Sequence, residues 1–133
     1  MFGNKKSNSS SNSIDSLIGL GTRVEGNITF SGGLRIDGEV KGNISSENPQ
    51  EGVLVISEKA CVEGAISVGH VVINGTVIGP VFAGKSLELQ PSARVTGDME
   101  YSQIEILQGA VVQGRLVHQA HSKTVELKLA SGN

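Results

Sequence analysis

Apolar and polar residues alternate through most of this chain, with small residues at set places in the alternation. Leu34, Ile36, Gly38, Val40, Gly42 and Ile44 fall on even numbers, and Arg35, Asp37, Glu39, Lys41 and Asn43 lie between them. Val71, Ile73, Gly75, Val77, Gly79 and Val81 fall on odd numbers, as do Leu87, Leu89, Ala93, Val95, Gly97 and Met99. A period of two is that of a strand with one buried face. A helix needs apolar residues at i, i+3, i+4 and i+7, which this region does not supply.

The alternation also repeats as a block. The unit Val-x-Gly-x-apolar occurs at Val24–Ile28, Val40–Ile44, Val62–Ile66, Val77–Val81, Val95–Met99 and Val112–Leu116. Its glycines, Gly26, Gly42, Gly64, Gly79, Gly97 and Gly114, stand 16, 22, 15, 18 and 17 residues apart. The long step contains Asn48-Pro49-Gln50-Glu51-Gly52, which reads as an inserted loop. A second unit, apolar-x-apolar, precedes five of the six at Leu34–Ile36, Leu54–Ile56, Val71–Ile73, Leu87–Leu89 and Ile104–Ile106. A strand that bends every few residues and repeats near every 17 winds upon itself. The pattern predicts an all-β, single-domain β-solenoid of about six coils, with a core roughly 25–30 Å long at ~4.8 Å per stacked strand. A β-sandwich also has short strands and frequent turns, but has no need of one signature per coil.

Three segments follow. Residues 1–15 are expected to be a disordered polar tail, since Ser, Asn and Lys bury too little to offset the entropy of ordering. Residues 16–120 carry the solenoid. Residues 121–133 form a C-terminal tail with one alternating stretch, Val125-Glu126-Leu127-Lys128-Leu129.

Composition narrows the function classes. The 133 residues include 18 Gly, no Trp and one Tyr, and carry a net charge of −2. That balance does not suit a nucleic-acid binder, which shows a basic face. No apolar run reaches the ~18 residues of a membrane span. The start lacks the apolar stretch of a secretory signal, so a cytoplasmic location is expected and the sequons at Asn27, Asn43 and Asn74 carry no meaning. Cys61, the only cysteine, has no internal disulfide partner and reads as an inert outward thiol.

Gly79-Pro80-Val81-Phe82-Ala83-Gly84-Lys85-Ser86 satisfies the phosphate-binding pattern G-x-x-x-x-G-K-[ST]. Such a loop opens a helix, whereas Leu87-Glu88-Leu89-Gln90-Pro91 continues as a strand and ends at proline. Gly79 is already accounted for as a repeat glycine. His118-x-x-His121 would offer two metal ligands, but no thiolate or carboxylate cluster adjoins it in sequence. Asp37, Glu39, Glu58 and Glu63 read as outward or corner residues rather than acid–base pairs. No catalytic residue, cofactor or metal is expected.

A solenoid has two ends where backbone groups lack a neighbour, and soluble repeat proteins cover them. No amphipathic helix stands at either end of the repeat. The alternatives are that residues 1–20 and 117–133 fold over the ends, giving a monomer, or that copies stack end to end. Isologous contacts at both ends would give filaments without polarity.

Ser16-Leu17-Ile18-Gly19 leading into Val24-Glu25-Gly26-Asn27-Ile28 resembles the start of the bactofilin domain. Leu34-Arg35-Ile36-Asp37-Gly38-Glu39-Val40-Lys41-Gly42-Asn43-Ile44 and Ala93-Arg94-Val95-Thr96-Gly97-Asp98 resemble it too, so the likeness covers roughly residues 16–116. The resemblance implies a right-handed β-helix and a bacterial cytoskeletal scaffold. It also implies nucleotide-independent filaments under the inner membrane, where they position cell-wall, shape or morphogenesis machinery. The expected partners are further copies of the chain, inner-membrane lipids and cell-wall synthesis or remodelling proteins. Phe2, Lys5 and Lys6 match the family's membrane-targeting start. Val24, Ile28, Val111 and Leu116 are the candidate end contacts, although Val111 stands where the family often has an aromatic. The alternative from another class is a left-handed hexapeptide acyltransferase, which the irregular spacing disfavours. A β-helical polysaccharide-binding or -cleaving protein would be richer in aromatics.

Overall fold

A computed structural model describes residues 14–119. The expected C-terminal tail and all of the polar start except Ile14 and Asp15 lie outside the described residues. Asp15 is tied to the second coil: its Oδ2 accepts a hydrogen bond from Gly33 N at 2.9 Å, and its own N–H donates to Gly33 O at 2.9 Å.

The described residues hold fifteen strands and no helix, and every strand pairing is parallel. They wind into about six three-sided coils. The first coil is β1 (Ser16–Ile18), β2 (Arg23–Glu25) and β3 (Ile28–Phe30); the second is β4 (Gly33–Ile36), β5 (Glu39–Lys41) and β6 (Ile44–Ser46). The third is β7 (Val53–Ile56), β8 (Cys61–Glu63) and the first half of β9 (Ile66–Ile73). The fourth takes the second half of β9, then β10 (Thr76–Ile78) and the first half of β11 (Val81–Leu89). The fifth takes the rest of β11, β12 (Arg94–Thr96) and the start of β13 (Met99–Ile106). The sixth is the end of β13, β14 (Val111–Gln113) and β15 (Leu116–His118). On one face, β2, β5, β8, β10, β12 and β14 form a six-stranded sheet. The other two faces join into one nine-stranded sheet, because β9, β11 and β13 each run across the corner between them.

Register turns the sequence repeat into columns. Val24, Val40, Val62, Val77, Val95 and Val112 lie one above another. Ile28, Ile44, Ile66, Val81, Met99 and Leu116 do the same on the next face. Leu34, Leu54, Val71, Leu87 and Ile104 form the third column, with Ile18, Ile36, Ile56, Ile73, Leu89 and Ile106 beside them. Nearly all inward residues of the middle coils are buried, so the core is a continuous apolar rod. Flat stacking of identical β-branched residues suits a pleated, buried surface.

The repeat glycines sit at one corner with φ between +134° and +155°. A Cβ on Gly42 or Gly64 would overlap the carbonyl oxygen of the repeat glycine one coil away, Gly26 or Gly42. Positive φ and close backbone approach together admit only glycine there. The 22-residue step is a loop over residues 47–52. It folds along the corner between β6 and β7, where Cβ atoms on Gly69 and Gly84 would strike Glu51 and Pro49.

Candidate functional site at the two ends of the stack

Among the described residues, the inward columns lose their cover at the first and last coils. Ile18, Val24 and Ile28 at one end, and Ile104, Ala110 and Val112 at the other, are only partly buried against the core. Leu116 belongs to the inward column headed by Ile28, yet is 42% exposed because no seventh strand lies beneath it among the described residues. Val111 is 40% exposed and takes an outward place on β14, in register with Arg94. Leu17 and Leu20 are exposed at the first end, and Ile106 and Val117 at the last. Thus Val24 and Ile28 lie in the first coil, Val111 and Leu116 in the sixth, with four coils between the pairs. Among the described residues, each end joins unpaired strand edges to apolar side chains, the combination that invites another strand. Phe2, Lys5 and Lys6 lie outside the described residues.

The sides of the stack are polar and mixed in charge. Arg23 pairs with Glu25 at 2.9 Å and reaches Glu39 on the next coil at 4.0 Å. Arg35 pairs with Asp37 at 3.0 Å, and Asp37 also accepts a hydrogen bond from Ser57 one coil on. That hydroxyl is the main cause that lowers the Asp37 carboxyl below its ordinary 3.8; desolvation opposes it, and Arg35 adds to it. Cys61 faces outward from β8 and is half-buried. Burial, and after it the charges of Glu63 and Glu39, push its thiol above the usual 9.0.

The phosphate-loop match dissolves in the structure. Gly79 is a corner glycine, and Val81 to Leu89 is the strand β11. Gly84 and Lys85 form a bulge in it, where the register shifts against both neighbours. Gly84 is small because the 47–52 loop lies on it, and Ser86 Oγ is hydrogen-bonded to His70 Nδ1 at 2.8 Å. No helix follows to present amides to a phosphate. His118 Nε2 donates to Ser102 O at 3.0 Å, and its ring lies 5.9 Å from that of Tyr101; His121 is outside the described residues. Among the described residues, no three His, Cys, Asp or Glu side chains are grouped to hold a metal, and no helix is long and apolar enough to cross a membrane.

One set of structural residues escaped the sequence reading. Asn27 Oδ1 accepts the N–H of Asn43, Asn43 Oδ1 accepts that of Ala65, and Asp98 Oδ1 accepts that of Arg115, each at 2.9–3.0 Å. These side chains follow the repeat glycine directly and tie three of the corners to the next coil. The signal was the recurrence of Asn or Asp after that glycine.

The family model described as "Bactofilin: Polymer-forming cytoskeletal" matches residues 16–117, the whole stack from β1 to the middle of β15. The chain belongs to the bactofilin family. Two curated relatives come from Myxococcus xanthus (strain DK1622). Bactofilin BacO is 32% identical over 102 residues, 77% of this chain and 78% of BacO. Bactofilin BacP is 26% identical over 112 residues, 84% of this chain and 45% of BacP, so this bactofilin spans under half of BacP. No solved structure matches the chain. The solenoid that its repeat implied is the fold this bactofilin has, and its family is one of cytoskeletal, polymer-forming proteins.

Proposed function

We propose that this bactofilin polymerises end to end, through its terminal coils, into nucleotide-independent filaments. The exposed apolar residues of the first and sixth coils carry this reading, because a second stack docked on either end covers them and meets the open strand edges. Each half-exposed Val, Leu or Ile covered in this way contributes about 1 kcal/mol. Val24 and Ile28 serve one contact, Val111 and Leu116 the other. Like meets like at both, so the filament has no polarity.

The filament lies against the inner face of the cytoplasmic membrane and positions cell-wall, shape or morphogenesis machinery. Phe2 enters the headgroup boundary, and Lys5 and Lys6 each add ~1 kcal/mol over anionic lipid. One such start binds weakly; a filament presents many and binds by avidity. The protein acts as a scaffold rather than an enzyme. Six-residue periodicity, which a hexapeptide acyltransferase needs, is missing from the columns.

Negative-stain electron microscopy of the purified chain, without nucleotide or metal, tests the first part. Filaments are expected, and a monodisperse small oligomer would overturn it. Deleting residues 1–6 should abolish co-sedimentation with anionic liposomes while polymer still forms. Undiminished binding would put the anchor elsewhere.

A further inference from the structure

The sides of the stack are polar except at one corner of the fourth coil. Ile78, Pro80 and Phe82 take three successive outward places there, as β10 leaves the six-stranded sheet and β11 enters the nine-stranded one. Ile78 is 44% exposed, Pro80 is exposed and Phe82 is half-buried. The repeat gives these places polar residues in the neighbouring coils. The column through Ile78 otherwise holds Glu25, Lys41, Glu63, Thr96 and Gln113. The column through Phe82 otherwise holds Thr29, Ser45, Ser67 and Glu100 before it ends at Val117. Since Thr96 and Ser67 fill the same outward places one coil away, the fold does not call for a large apolar residue at 78 or 82. Pro80 alone has a structural account: Ala65, one coil back, offers no side-chain acceptor, and proline has no N–H to be met.

Charge surrounds this ridge unevenly. Glu63 lies in register with Ile78 on the third coil, and Glu100 with Phe82 on the fifth. Both are exposed, and neither joins an ion pair among the described residues. Asp98, two residues before Glu100, is engaged by Arg115 at 3.6 Å. Lys85 stands past the bulge, at the next corner. We propose that the ridge docks another protein, through a segment whose apolar side chains are flanked by lysine or arginine. Ile78 and Phe82 are covered by the apolar side chains, and the carboxylates of Glu63 and Glu100 meet the cations on either side. Adjoining exposed apolar residues mark a contact surface where single ones do not, and an aromatic among them supplies most of the contact energy. An anionic lipid surface does not suit this corner, because the two carboxylates would face it. A second copy meeting it by the same corner would add two carboxylates to the two already there. The ridge lies on the side of the fourth coil, so it stays open whether or not the ends of the stack are joined.

The test uses the full chain and two fluorescent peptides, Lys-Lys-Leu-Phe-Leu-Lys-Lys and Glu-Glu-Leu-Phe-Leu-Glu-Glu, read by anisotropy. The lysine peptide should bind saturably, and the glutamate peptide about tenfold or more weakly. Ile78→Thr with Phe82→Ser gives the ridge the residues of the neighbouring coils and changes no charge. It should weaken the lysine peptide about tenfold. Glu63→Gln with Glu100→Gln should weaken it about threefold or more. Circular dichroism checks that each variant is folded, and Phe82→Ser alone serves where the double exchange is not. No saturable binding, equal binding of the two peptides, or undiminished binding by the folded Phe82→Ser variants would overturn the site. If those variants lose the wild-type chain's own sedimentation, the ridge is a contact between copies and the proposal fails. If they lose its co-sedimentation with anionic liposomes, the ridge is a lipid contact and the proposal fails as well.

Discussion

Gly64 shows how little room the corner leaves. Its φ is +149°, and a methyl group there would overlap the carbonyl of Gly42. Gly64→Ala should therefore destabilise the fold by about 2 kcal/mol or more, read as a lower thermal midpoint by circular dichroism. An unchanged midpoint would mean that the corner relaxes. Asp37 makes a smaller claim. Its folded carboxyl is held below the ordinary 3.8, so its contribution is present above that value and lost as pH falls through the folded one. Asp37→Asn should flatten the drop in stability below about pH 4 relative to wild type, measured by melts across the acid range. The need for small residues at the corners was legible from spacing alone. The contact with the 47–52 loop that keeps Gly69 and Gly84 small was not, because it joins residues on different coils.

At the scale of the element, each strand is short and holds only through its neighbours above and below. Ile56 is fully buried in β7, between β4 and β9. Ile56→Ala should cost about 2–5 kcal/mol, at the larger end if the rigid coils cannot collapse on the void. Denaturant titration of the two proteins measures it. Asn43→Ala, which removes an exposed tie to Ala65, should cost only about 0.5–1.5 kcal/mol. Strand positions and the inward face were readable from period two, since parity survives through the small residues. Two things were hidden. β9, β11 and β13 run through a corner, and nothing in the alternation marks whether a strand bends or breaks there. Asn27, Asn43 and Asp98 looked like solvent-facing polar residues or sequons, and only register reveals the amide each one meets.

At the scale of the whole molecule, the ends differ from the sides in one respect: among the described residues, the sides are covered mostly by polar groups and the terminal coils have apolar residues without a neighbour. Val111→Arg places a charge at the proposed joint of the sixth coil, where desolvation would leave it without a partner. The folded spectrum should be retained and the polymer lost from the pellet, as checked by circular dichroism and ultracentrifugation of the same sample. Long filaments from the variant would place Val111 outside the joint. The stack and its number of coils were evident in the repeat count. Which residues protrude at them was legible only in part. Leu116 follows from parity, whereas Val111 takes an outward place and is apolar where the fifth coil has Arg94.

The odd 22-residue step has a consequence for how the chain finds its shape. Five near-equal steps would let a growing chain skip a coil and still match valine to valine and glycine to glycine. The 47–52 loop breaks that translational symmetry, since it lies on Gly69 and Gly84, where a Cβ would strike residues 49–51. Contacts that reach only about one coil back allow the stack to build from its first coil during synthesis. The loop then works as an indexing notch: a slip by a whole coil would set a residue other than Gly69 or Gly84 against its backbone.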